Sequence, residues 1–232
     1  MKTLDTIDDR VYTLIQFANK RAGYEKIKYN PEMTSQVLLQ QINLLREEFL
    51  DDPETLKELE KTQKEFWNIS RTTAEFLYNL IVDSNSQSVV EVGTSNGYSG
   101  IWLGKALKKT GGKLTTIEFY DKRLDIAKEN FAKCGVADII ETKKGDAATI
   151  LEYLPEDFEI DFAFVDAQKA QYIKFFHLIA PHLKVGGYIA CDNVLSHANK
   201  VQDFIDDINA NPDYENVVLP LPAGLSLAKK LR

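Results

Sequence analysis

The stretch VVEVGTSNGYSG, Val89 to Gly100, decides the fold. Val89, Val90 and Val92 are β-branched, as a buried strand favours. The run closes on an acid, Glu91, and a glycine, Gly93. A second glycine, Gly97, follows four residues later, and the apolar residues Ile101, Trp102 and Leu103 open a helical pattern. Strand, glycine-rich turn and helix make the first unit of a nucleotide-cradling βα fold. The spacing is E-x-G-x-x-x-G, not the dinucleotide pattern G-x-G-x-x-G.

Working outward, strands are expected near 88–92, 113–118, 138–143, 161–165, 187–192, 214–220 and 225–230, with helices in most of the gaps. Such alternation implies a parallel sheet with helices on both faces. The last two strands lie close together around Pro220-Leu221-Pro222-Ala223-Gly224, a short return that predicts an antiparallel edge. Residues 1–83 read as a helical extension. Asp52 caps and Pro53 opens one helix, with Leu56, Leu59, Phe66 and Trp67 on its apolar face. Ser70 caps the next, ahead of Ala74, Leu77, Leu80 and Ile81. The polar run Asp83 to Ser88 separates this cover from an α/β core over 84–232, and the whole chain reads as one domain.

Bulk properties narrow the class. At 232 residues with 44% apolar and 27% charged residues, the chain can bury a full core. No apolar run approaches the ~20 residues of a spanning helix, and the N-terminus has no apolar signal region. A net charge of −7 weakens attraction to nucleic acid or an anionic membrane. Cys134 and Cys191 read as reduced core thiols of a cytoplasmic protein.

The glycine spacing resembles motif I of the class I S-adenosylmethionine (SAM) methyltransferases. A cofactor without a pyrophosphate needs room for an adenosyl group and polar groups for an amino-acid tail. Glu118, at the end of the second strand, suits two ribose hydroxyls; the alternative is a helix-capping acid, a role Asp121 can fill. Asp146, after the third strand, suits the adenine amino group, or caps the helix from Ala147 to Leu154, or does both. Ser99 suits the cofactor carboxylate, with helix N-terminal amides beside it.

A second group of residues carries chemistry. Asp161 to Asp166 is an apolar strand ending in an acid, with Lys169 and Tyr172 just beyond. Gly186 to Asn193 is another strand, ending in Asp192-Asn193. Both ends belong on the sheet edge that carries the glycine turn. Two carboxylates and an amide oxygen suit a hard divalent cation with room for waters and substrate. Asp-Asn alone is a common turn, and Lys169 alone is an ordinary solvated lysine; the joint spacing gives both weight.

VDAQKAQY followed by GGYIACDNVL resembles the signature of the cation-dependent O-methyltransferases, the family of catechol and caffeoyl-CoA O-methyltransferases and their bacterial relatives. The resemblance runs from about Ile69 to Lys230. It implies a Rossmann-like fold with a seven-stranded, mostly parallel sheet and an antiparallel C-terminal edge strand. It implies metal ligation by Asp166, Asp192 and Asn193, with Mg²⁺, Mn²⁺ or Ca²⁺ as the ion. Lys169 would be the general base beside Asp166. SAM would be held by Glu91, Gly93, Thr94, Ser95, Gly97, Ser99, Glu118, Phe119, Asp146, Ala147, Asp166 and Ala167, with Ile69 and Ser70 closing over its methionine end. The expected reaction moves a methyl group to one hydroxyl of a small aromatic vicinal diol. A homodimer is also implied, with Tyr24, Tyr29 and Met33 of the cover near substrate.

The match has departures. The segment after Asn193 is shorter than in the plant enzymes, where an insertion helps shape the acyl-CoA site, so a CoA thioester is in doubt. His197 lines the substrate pocket or caps the helix near 199–211. His177 and His182 read as surface or packing residues. Trp67, Tyr98 and Tyr172 are candidate pocket aromatics, with core packing expected for at least one. Two other readings stand beside the leading one: methylation of a hydroxylated tRNA uridine, which the acidic VQDFIDDINANPDYE disfavours, and a non-catalytic SAM-binding module, which has no need of metal ligands and a base. Polyamine synthesis lacks an acid-rich amine pocket.

Overall fold

The computed structural model describes residues 68–219 and 221–232. The cover up to Trp67, including the Asp52-Pro53 helix start, Tyr24, Tyr29 and Met33, lies outside the described residues. Helix α1 (Arg71–Asp83) starts where expected: Ser70 Oγ accepts from the Thr73 amide at 3.0 Å. Strand β1 (Ser88–Val92) leads through the glycine turn into α2 (Tyr98–Thr110). The chain then alternates through β2 (Lys113–Glu118), α3 (Asp121–Lys133), β3 (Ile140–Lys144), α4 (Ala147–Glu152), β4 (Ile160–Val165), α5 (Tyr172–Ile179) and β5 (Leu183–Cys191). It finishes with α6 (Ala198–Ala210), β6 (Tyr214–Leu219) and β7 (Leu225–Lys230).

The seven strands form one sheet in the order β3-β2-β1-β4-β5-β7-β6. Strands β1 to β5 are mutually parallel; β7 is antiparallel to β5 and to β6. The expected hairpin and antiparallel edge are present. Their order is what periodicity does not reveal: β7 slots in beside β5, which leaves β6 outermost.

Alternation along the strands builds two cores, because successive side chains point to opposite faces. Val89, Leu114, Phe162, Phe164, Ala190 and Leu227 face α1 and α2. Val90, Val92, Ala163, Val165, Ile189 and Ala228 face α5 and α6. Strand limits differ from expectation by more than one residue in two places. Residues 137–139 form a short 3₁₀ turn, and pairing starts only where Ile140 meets Leu114. Strand β5 begins at Leu183 because Gly186, at φ +85°, bulges the strand instead of ending it.

Candidate active site

In the sheet order the chain runs from β1 outward through β2 to β3, then returns to place β4 on the other side of β1. That reversal leaves a crevice at the carboxyl ends of β1 and β4, where open α/β sheets bind ligands. Gly93 and Asp166 flank it. The Asp166 amide donates to the Val92 carbonyl at 2.9 Å. Gly93 has φ +104°, and a Cβ there would sit 2.2 Å from the Asp166 carbonyl oxygen. Only glycine lets the two strand ends close this tightly. Gly97 (φ +88°) is the cap residue of α2 and packs under the Phe131 ring.

Behind the turn lies a buried polar network. Glu91 is fully buried. Its Oε1 accepts from Ser99 Oγ and its Oε2 from Thr116 Oγ1, each at 2.5 Å. Thr116 has one hydroxyl proton and gives it to Glu91, so Thr94 Oγ1, 2.6 Å away, is the donor to Thr116. Burial pushes the Glu91 carboxyl up to about 7 in spite of these two hydrogen bonds, and nearby Asp166 and Glu118 push the same way. Glu118 accepts from the Ser95 amide at 2.8 Å and from the Tyr120 amide at 3.0 Å. Ser95 has φ +50°, a strained value for a non-glycine residue, and the Glu118 bond holds it there.

Each residue expected on this side has a definite place. Ile69 is buried in the core and Ser70 caps α1. Ser99 lies in the first turn of α2, with its hydroxyl directed at Glu91. Phe119 is 60% exposed, edge-on to Tyr120 at 5.2 Å, so its ring is available at the end of β2. Asp146 caps α4 through Thr149, whose amide donates at 2.9 Å, and this bond keeps its carboxyl below the usual range. Ala147 is the first residue of that helix and Ala167 directly follows Asp166.

The chemistry-bearing residues gather at the ends of β4 and β5. Lys169 Nζ lies 2.6 Å from Asp166 Oδ1, with both side chains about four-fifths covered (16% and 20% exposed). The same ammonium stands 5.6 Å from the centre of the Tyr172 ring, within cation–π range. Tyr172 is buried, and its hydroxyl donates to the Asp192 carbonyl at 3.0 Å. Asp192 is 2% exposed, and its Oδ1 has no hydrogen-bond partner. Its carboxyl is held well above the usual range, first by burial and then by the charge of Asp166. Asn193 has φ +65°, a conformation that asparagine tolerates better than most residues.

A buried carboxylate oxygen with no partner is costly unless something positive meets it. Two adjacent acids and an amide oxygen on one sheet edge therefore fit a hard divalent cation. The donor set is sparse: among the described residues, no three or more His, Cys, Asp or Glu side chains group as a metal cluster. Asp166, Asp192 and Asn193 would leave the remaining positions to water and acceptor.

Other residues settle into structural roles. His197 occupies the cap position of α6, but its ring makes no capping bond and meets Ser196 Oγ at 3.0 Å. His177 faces Asp207 at the surface, and His182 packs on the Phe158 carbonyl. Tyr98 and Tyr172 are both core aromatics; Trp67 lies outside the described residues. Cys134 and Cys191 are buried thiols that form no disulfide. Thr116 is the site residue that sequence reading missed. Its only signal was a hydroxyl in the otherwise apolar strand KLTTIE.

A family model described as O-methyltransferase matches residues 46–231. The chain belongs to this O-methyltransferase family. Caffeoyl-CoA O-methyltransferase of Eucalyptus gunnii is 32% identical over 78% of this chain and 82% of its own. The Petroselinum crispum enzyme of the same name is 28% identical over 92% of this chain and 99% of its own. The O-methyltransferase TomG of Streptomyces achromogenes, involved in tomaymycin synthesis and solved in complex with SAM, is 26% identical. It matches 77% of this chain and 90% of its own with a TM-score of 0.68. No helix among the described residues is long and apolar enough to cross a membrane.

Proposed function

We propose that this SAM-dependent O-methyltransferase methylates one hydroxyl of a small aromatic vicinal diol, with a divalent cation held by Asp166, Asp192 and Asn193. The observation that carries the cation reading is Asp192 Oδ1, buried and without a hydrogen-bond donor beside Asp166. A bound Mg²⁺, Mn²⁺ or Ca²⁺ would supply positive charge that favours the deprotonated form of an acceptor hydroxyl.

The chain's own residues do the rest. The turn from Gly93 through Thr94 and Ser95 to Gly97, with Glu91 and Ser99 behind it, would hold the amino-acid end of SAM. Glu118 and Phe119 would meet the ribose and adenine, with Asp146, Ala147 and the backbone around Ala167 completing the site. Ile69 and Ser70 stand at the start of α1 to close over the methionine end. Lys169, beside Asp166, would in its neutral form take the proton of the acceptor hydroxyl. Tyr172 fixes the backbone of Asp192. Holding acceptor and donor at contact is the main catalytic gain of such a crevice.

The acceptor reading rests on the surroundings. The segment between Asn193 and β6 is short and acidic, with Asp203, Asp206 and Asp207 in α6, which disfavours a polyanionic acceptor. That favours a small diol over a CoA thioester or tRNA. The same reading takes the enzyme to work as a cytoplasmic homodimer. The test is methyl transfer from labelled SAM to catechols, caffeic acid, caffeoyl-CoA, flavonoid diols and bulk tRNA. Labelling of a small diol supports the proposal; labelling of tRNA or of the thioester alone overturns the acceptor class.

A further inference from the structure

The carboxylate pair at the ends of β4 and β5 is served unequally. Lys169 Nζ sits 2.6 Å from Asp166 Oδ1, while Asp192 Oδ1 has no partner. Lys169 comes from the short turn of residues 169–171, three positions after Asp166. It is held near Asp166 by local chain geometry and by the face of Tyr172. One ammonium therefore stands on one of the two carboxylates that a divalent cation would need. Two positive charges at hydrogen-bonding range of one carboxylate repel each other strongly when both are mostly shielded from water.

We propose that Lys169 is a built-in counter-ion of the cation site, so that its ammonium and a divalent cation are competing partners of Asp166 and Lys169 sets how tightly the cation is held. This rests on the cation reading above and adds a role for Lys169 that is separate from proton removal. Weak cation binding follows from it, because the cation must displace an existing ion pair as well as shed water. The Tyr172 ring, 5.6 Å from Nζ, gives the displaced ammonium a second favourable surface.

The test is direct binding of Mn²⁺ to the full chain, followed by loss of its electron paramagnetic resonance signal at fixed ionic strength, with no turnover involved. Lys169→Met keeps the apolar stem and removes the charge. Lys169→Arg keeps the charge. The expected result is an apparent Kd for Mn²⁺ about three- to tenfold lower in Lys169→Met, with Lys169→Arg close to wild type. Equal or weaker binding by Lys169→Met, with wild type still binding, overturns the counter-ion role and leaves the cation reading standing. No Mn²⁺ binding by wild type or either variant overturns both. Thermal unfolding of each variant confirms that the folded chain is being titrated.

Discussion

The two halves of the crevice are built on opposite terms. At the ends of β1 and β2 the acids are partnered: both oxygens of Glu91 and both of Glu118 accept hydrogen bonds from the protein. At the ends of β4 and β5 they are less so. Asp166 has a single lysine, and Asp192 presents a buried oxygen to nothing. The first half is pre-organised in the sense that the protein's own hydrogen bonds hold its loop. The second holds a buried carboxyl oxygen that the protein itself leaves without a partner. The function proposed above assigns cofactor binding to the first half and chemistry to the second.

The largest effect should come from breaking the unsatisfied half. Asp192→Ala is expected to lower methyl transfer at least about a hundredfold while SAM binding, measured by calorimetry, moves by no more than about threefold. Loss of SAM binding in the same variant would mean that the two halves are not separate. Because Asp192 is buried with its carboxyl held above the usual range, the folded state keeps its proton longer than the unfolded chain. Its burden on stability therefore grows as pH rises, and the melting temperature of Asp192→Ala relative to wild type should rise between pH 5 and pH 8.

Breaking the pre-organised half should instead cost folding. Gly93→Ala places a Cβ 2.2 Å from a backbone oxygen at φ +104°, and a destabilisation on the order of 3 kcal/mol or more is expected. Urea unfolding measures it. A variant as stable as wild type would mean that the close approach of β1 and β4 is not obligatory.

Glu91 sharpens the contrast through pH. Its carboxyl lies near 7 in the folded protein against an ordinary 4.5. As pH rises the unfolded chain releases this proton first, so the stability contribution is intact below the ordinary value and is lost between there and about 7. The loss through this group should be on the order of 3 kcal/mol. Glu91→Gln should lack it. Urea midpoints at pH 5 and pH 8 for both proteins decide the point: a gap between them that does not change with pH would remove Glu91 from the account. The smallest expected effect is Ser70→Ala, which removes the cap of α1 and should cost about 1 kcal/mol in the same unfolding assay.

The same division explains what the sequence made legible. Gly93 and Gly97 could be read because each answers a local backbone demand, and the near-continuous valines because β1 is buried on both faces. The Ser70 and Asp146 caps are likewise local, three residues from their partners. Asp166, Lys169, Asp192 and Asn193 stood out by their joint spacing, their roles were implied by the family resemblance, and the structure brings Lys169 onto Asp166. What stayed hidden involves partners distant in the chain. Thr116 meets a carboxylate 25 positions away. The hydroxyl of Ser99 turns to Glu91, which no pattern within α2 announces. The insertion of β7 between β5 and β6 is also a long-range choice, since strand periodicity fixes which face is buried but not which neighbour is paired.

The most direct test of the divided crevice is one paired measurement: binding of S-adenosylhomocysteine by calorimetry, and methyl transfer to a catechol that the enzyme accepts, each with Mg²⁺ and with chelator. The account expects binding to change by less than about threefold, while transfer falls at least about a hundredfold on chelation and returns with Mg²⁺. Transfer that persists in chelator, or binding that falls in step with it, would contradict the account.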